Sequence, residues 1–206
     1  MKDSTRKIAL ILKRLGDIFI AAIGVLTLTP LMIVIAAVIK LDSPGPVMFR
    51  QQRIGLHGRL FWINKFRSMV TDADRDGDVT RLADPRVTRI GRLLRLSSLD
   101  EIPQLFNVLA GEMSLVGPRP LLPGSVHFLE NRRHDMRPGC TGLPVVSGRQ
   151  SLDWEQRMRL DLWYVDHWSL WLDLRILART IPVALSRKNV YNAQGQMPSR
   201  PDVPAD

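Results

Sequence analysis

The chain has 206 residues, with 29 Lys and Arg against 20 Asp and Glu, for a formal net charge of +9. That length gives one domain, or one domain with an attachment, and the charge selects anionic partners: phospholipid headgroups, phosphorylated substrates or nucleic acid. A single cysteine, Cys140, excludes an internal disulfide framework and fits a reducing compartment.

The first predicted element is apolar. From Ile18 to Ile39 the chain carries 22 residues without a charge. That run is longer than a signal-peptide core and no small-residue cleavage site ends it. Its length is that of a membrane-spanning helix. Basic residues flank both ends: Lys2, Arg6, Lys7, Lys13 and Arg14 before it, and Lys40, Arg50 and Arg53 after it. The positive-inside rule therefore gives no orientation. Thr29-Pro30 lies in mid-run, where proline lacks an amide hydrogen and clashes with the carbonyl of residue 26. This predicts a kink, with the Thr29 hydroxyl available to a freed carbonyl. Two readings stay open on these grounds: a kinked, re-entrant helix with both ends on one side, and a simple spanning helix that tolerates its proline.

Asp42-Ser43-Pro44-Gly45-Pro46 ends the apolar helix. Residues 47–53 and 59–66 read as two strands of a hairpin around Gly55-Leu56-His57-Gly58. Thr71 to Asp84 alternates Asp72, Asp74, Asp76 and Asp78, like the start of a calcium loop, but Ala83 stands where the closing glutamate belongs; it reads as a mobile surface loop. Helices are predicted over 86–96, 99–109 with Gly111 as its stop, 124–136, 151–166 capped by Ser151, and 171–187 broken near Pro182. The tail after Asn189 is polar and proline-rich and is predicted to be disordered. Trp163, Trp168 and Trp171 with Tyr164 suit either a headgroup interface or a core.

The chemistry concentrates between Ser97 and Pro120. Asp100 and Glu101 are adjacent carboxylates at a predicted helix start. Ser98-x-x-Glu101 also matches a capping box, a purely structural reading. Pro103 fits only a first helical turn, which moves the start toward Asp100. There the unpaired amides would keep Asp100 ionised and favour a nearby phosphate. Lys65, Arg67, Arg92, Arg95, Arg119, Arg137 and Arg149 flank the breaks in the chain, and Arg119 sits between two prolines as a restricted phosphate clamp.

These residues carry a resemblance. Lys13-Arg14 through Asp17, Thr29-Pro30, Lys65-Phe66-Arg67-Ser68-Met69, Leu99-Asp100-Glu101 through Asn107-Val108-Leu109, Gly111 through Pro120, Arg137-Pro138-Gly139, Thr141-Gly142 and Gly148-Arg149 resemble the monotopic phosphoglycosyl transferases, or bacterial sugar transferases. The likeness runs from about residue 10 to 188 and is to the minimal form of that family. One stretch departs: where the family shows Thr-Gly-Trp-Ala-Gln-Val, this chain has Thr141-Gly142-Leu143-Pro144-Val145-Val146, without the aromatic and the amide.

The resemblance implies a mainly α fold with a small β-hairpin: a re-entrant membrane helix over 1–41 broken at Thr29 and Pro30, a compact cytosolic α/β catalytic domain over 42–188 with amphipathic surface helices, and a tail over 189–206. It implies a transfer of phospho-sugar from a UDP-sugar to polyprenol phosphate at the cytoplasmic face of a bacterial inner membrane, giving polyprenol diphosphate-sugar and UMP, the first membrane step of glycoconjugate or polysaccharide synthesis. Asp100 would be the nucleophile, Glu101 its base or metal partner, and Mg2+ would be held by this pair. Lys65, Arg95, Arg119, Arg149, Asp161 and Asp173 match substrate-site positions. Partners would be membrane phospholipids and the two substrates; a homodimer is left open. No nucleic-acid partner is expected, since no helix-turn-helix or RNA-binding motif occurs. The competing readings are a membrane-anchored basic module that binds acidic lipid or nucleic acid, and a one-step transfer in which the carboxylates only bind metal.

Overall fold

The computed structural model describes residues 3–71, 73, 84–123, 128–148 and 151–186. Helix α1 (Asp3–Asp42) leads into a hairpin of β1 (Met48–Ile54) and β2 (Leu60–Phe66). Helices α2 (Arg89–Ser97) and α3 (Gln104–Ala110) follow, then β3 (Ser114–Val116), β4 (Gly139–Thr141), α4 (Leu143–Ser147), α5 (Trp154–His167) and α6 (Leu170–Ser186). The fold is mostly helical. The expected hairpin pairs antiparallel, with Met48 opposite Phe66 and Ile54 opposite Leu60. A second, parallel pair joins β3 to β4, Ser114 opposite Gly139 and Val116 opposite Thr141. Three-residue strands with no alternation left no sequence signal.

At 1.5 Å per residue the 40 residues of α1 extend about 60 Å, twice the hydrocarbon thickness of a bilayer. The helix is long and apolar enough to cross a membrane. Many of its large apolar side chains, Phe19, Leu26 and Ile33 among them, are exposed. So large an apolar surface is a membrane or partner surface. Helical structure continues through Pro30, so the expected break is not an interruption of the helix. Thr29 donates its hydroxyl to the carbonyl of Val25 at 2.6 Å rather than to that of residue 26.

The rest of the molecule holds α1 along both halves. Near its start, Lys13 Nζ donates to Asp173 Oδ2 at 2.7 Å and to the Val116 carbonyl at 3.0 Å. Asp17 accepts from Ser114 Oγ at 2.7 Å and the Leu115 amide at 3.2 Å. Near its end, Ile35 and Ile39 pack with Phe66 and Leu94 in a small core. Arg67 then caps the terminus, donating to the carbonyls of Ser43 and Pro44, both at 2.7 Å. The main core lies between Ala21 of α1, Phe61 and Ile63 of β2, Val108 of α3, and Tyr164 and Ile176 of the last two helices.

Several boundaries differ from the sequence reading. α5 is capped by Asp153, whose side chain exchanges hydrogen bonds with Gln156 in a capping box, not by Ser151. α6 runs through Pro182 without a break. Residues Phe128–Asp135 form a 3-10 segment in place of the predicted α-helix. Of the Thr71–Asp84 loop only Thr71, Ala73 and Asp84 lie within the described residues, and the tail after Asn189 lies outside them. The tryptophans divide: Trp168 is buried, while Trp163 and Trp171 are exposed.

Candidate active site

A cleft opens where the ends of β2, α2, α3 and the Gly117–Pro120 corner meet α4 and α6. Lys65, Arg95, Asp100, Glu101 and Arg119 line it. Each is placed by a local cause. A Cβ at Gly91 would stand 1.9 Å from the Ser68 carbonyl oxygen, so glycine is what lets α2 lie on the chain leaving β2. Arg95, one turn further on, donates Nε–H to Ser68 Oγ at 2.8 Å. α2 ends at Ser98, which takes the left-handed conformation with φ 57°. The chain then turns through a 3-10 segment, Leu99–Glu101, before α3 begins at Gln104. This corner presents the two carboxylates to the cleft. Ser98 makes no side-chain cap hydrogen bond, so the capping-box reading fails. Gly111, at φ 87°, stops α3 where expected.

Asp100 is only 8% exposed. Its carboxyl is raised from 3.8 to about 6, chiefly by burial and then by the charge of Glu101, against the pull of Lys65 and Arg95. The expectation that a helix terminus would hold it firmly ionised is therefore corrected. The residue sits in a three-residue 3-10 turn with little dipole, and desolvation dominates. Glu101 is less enclosed and accepts from Lys65 Nζ at 2.7 Å. Arg119 projects into solvent while its backbone is fixed: its carbonyl accepts from Arg133 Nη2 at 2.8 Å, and its amide lies 3.4 Å from Asp161 Oδ2.

The structure does not bring Asp161 and Asp173 to the cleft. Asp161 is buried in an ion pair with Arg133 and touches the site through the Arg119 backbone. Asp173 accepts from Lys13, from Tyr164 Oη at 2.6 Å and from Trp168 Nε1 at 3.0 Å. Arg149 lies outside the described residues. Sequence reasoning missed Gln104, Arg157 and Thr180, which also line the cleft. Arg157 is lowered to about 10, first by burial and then by Arg119. Its approach is a long-range event without a local motif; Gln104 had a signal, four residues beyond Asp100. The departing stretch forms α4, and it gives the cleft an apolar wall of Pro144 and Val145 facing Val183 and Ala184. Cys140 lies in the same wall, its thiol held neutral because burial pushes it well up.

As a donor set, Asp100 and Glu101 are two adjacent carboxylates with no third His, Cys, Asp or Glu grouped with them among the described residues. Mg2+ is commonly held by one or two carboxylates together with substrate phosphates, so this pair fits that mode.

A buried carboxylate in an arginine- and lysine-lined cleft, beside a helix long and apolar enough to cross a membrane, suits a phosphorylated ligand. The family model described as bacterial sugar transferase matches residues 8–187, and the chain belongs to that family. It is 45% identical to the uncharacterized sugar transferase EpsL of Bacillus subtilis, over 88% of this chain and 91% of that one. A UDP-glucose:undecaprenyl-phosphate glucose-1-phosphate transferase of Caulobacter vibrioides is 44% identical, over 87% of this chain and 72% of its own length. The undecaprenyl-phosphate galactose phosphotransferase of Salmonella typhimurium is 41% identical, and there the match spans only 42% of the relative.

Proposed function

We propose that this protein moves a sugar phosphate from a UDP-sugar to polyprenol phosphate through a covalent intermediate on Asp100. The observation that carries the reading is the state of that carboxylate: enclosed, raised to about 6, and facing a cleft lined by Lys65, Arg95 and Arg119. A carboxylate with this pKa is ionised at neutral pH yet weakly solvated, as a nucleophile should be. In the first step an Asp100 oxygen attacks the sugar-bearing phosphorus. The bond from that phosphorus to the bridging oxygen breaks, and UMP leaves with the electron pair. In the second step a phosphate oxygen of the polyprenol acceptor attacks the same phosphorus and releases the carboxylate. The cationic side chains offset the negative charge of the diphosphate. Mg2+ held by Asp100 and Glu101 would add to that neutralisation. Glu101, anchored by Lys65, fixes the dyad.

The relatives named for UDP-glucose and undecaprenyl phosphate support these substrate classes. A two-step route also suits them: donor and acceptor arrive from water and from lipid, and need not be bound together. The contacts of α1 support a re-entrant placement. Domain residues grip Lys13 and Asp17 near one end and Ile35, Ile39 and the Ser43 turn near the other. A helix crossing the bilayer would draw that domain into the hydrocarbon. On this reading the cleft stands at cytoplasmic headgroup height, where the acceptor phosphate lies.

Donor labelled in the sugar phosphate, incubated without acceptor, tests the route. UMP release in a 1:1 ratio with enzyme, with label retained on protein, is expected. UMP formation only when acceptor is present would favour direct transfer. For topology, cysteines placed singly at Ser4 and Ser186 in a Cys140→Ser background should react from the same face of sealed vesicles; reaction from opposite faces means a true span.

A further inference from the structure

The polar side chains of α3 are treated very differently. Asn107 is almost fully buried and fully engaged. Its Oδ1 accepts from the Asn64 amide at 2.9 Å and from Asn64 Nδ2 at 3.2 Å, and its Nδ2 donates to the Trp62 carbonyl at 2.7 Å and to Glu112 Oε2 at 2.6 Å. Gln104, one turn earlier, is equally enclosed at 3% exposure. Yet its amide has no hydrogen-bond partner among the described residues, and the residue lines the cleft with Asp100, Glu101, Lys65 and Arg95. An amide that lines the cleft without a protein partner is open to whatever group binds there.

The position narrows what that is. Gln104 stands four residues beyond Asp100, at the first residue of α3, immediately after the corner that presents the dyad. No hydrogen bond links its amide to the Asp100 carboxyl, so it does not orient the resting nucleophile. Besides the two carboxylates, the charged side chains that line this cleft, Lys65, Arg95 and Arg119 among them, are cationic and suit an anion. A neutral amide contributes two N–H donors without adding charge, which is suited to an oxygen whose charge changes during reaction.

We propose that Gln104 is a catalytic residue: its side-chain amide donates to a non-bridging oxygen of the phosphoryl group as that group passes onto and off Asp100. The proposal rests on the covalent reading above. The contact forms with the phosphoryl group in place, so it lowers the barrier rather than stabilising the fold.

The test uses the full-length protein in native lipid and three readouts. Gln104→Met preserves length and removes the donors; Gln104→Glu preserves shape and replaces them with a carboxylate. Single-turnover UMP release should slow about 10- to 100-fold in Gln104→Met and further in Gln104→Glu, with donor KM nearly unchanged. Thermal stability of Gln104→Met should match or exceed that of wild type, because no internal hydrogen bond is lost. A donor with sulfur in place of the non-bridging oxygen should slow wild type but leave Gln104→Met slowed little further. The proposal is overturned if Gln104→Met releases UMP at the wild-type rate, if its melting temperature collapses, or if both proteins respond equally to sulfur. If wild type retains no label without acceptor, the covalent reading fails and takes this role with it. If wild type retains label at a rate that Gln104→Met matches, only the role of Gln104 fails.

Discussion

Two sets of buried carboxylates serve opposite ends. Asp173 lies among its own donors: the Lys13 ammonium, the Tyr164 hydroxyl and the Trp168 indole. Its charge is used to clamp α1 against α6. Asp100 is about as enclosed, but among the described residues no side-chain donor bonds it, and its carboxylate neighbour Glu101 repels it. A charge matched from within holds structure; a buried charge whose carboxyl is raised, facing a cleft, is what the proposed chemistry uses. Asp161 stands between these cases. Arg133 neutralises it, although burial still raises its carboxyl, and its reward to the site is the fixed backbone of Arg119.

Asp100→Asn breaks the comparison most sharply. Turnover should fall more than about 1,000-fold, since an amide cannot act as the nucleophile. Stability should move the other way. A buried acid whose folded pKa is raised favours its protonated form: that contribution is complete below pH 3.8 and is lost as pH rises through about 6. At pH 8 the ionised Asp100 therefore costs the fold on the order of 3 kcal/mol, and asparagine removes that cost. Thermal scans should show Asp100→Asn more stable than wild type at pH 8, with the gap closing toward pH 4. A variant equally stable at both would mean that Asp100 is not desolvated. Asp173→Asn should do the reverse. Removing the partner of a buried Lys13 costs about 3–5 kcal/mol, while donor KM in the folded fraction stays as it was. A selective rise in KM would return Asp173 to the substrate site.

The hairpin, α1 and the Gly111 stop were legible because each is written in local pattern: alternation, an uncharged run, a glycine after the last turn. The Asp100–Glu101 pair was legible from its adjacency and its neighbours. Its electrostatic state was not, because Asp100 owes its pKa to what packs around it rather than to its place in a helix. The same holds for Asp161 and Asp173. The family resemblance matches them to acidic site positions, but Arg133 and Lys13 reach them from 28 and 160 residues away. The enclosure of Gln104, without a partner, and the parallel β3–β4 pair are likewise products of packing alone.

The pH profile sharpens what separates the two carboxylate sets. If only ionised Asp100 attacks, first-turnover UMP release should fall about tenfold for each pH unit below about 6 and level off above it. Beyond burial, neighbouring charges bear on this limb. Glu101 raises the Asp100 carboxyl, whereas Lys65 and Arg95 lower it. Glu101→Gln should therefore shift the limb toward acid, and Lys65→Met should shift it toward neutral. Opposite shifts from two residues that bond each other at 2.7 Å cannot come from a general loss of structure, which would move both variants the same way. A limb that stays in place in both variants would mean that some group other than Asp100 carries the acid limb.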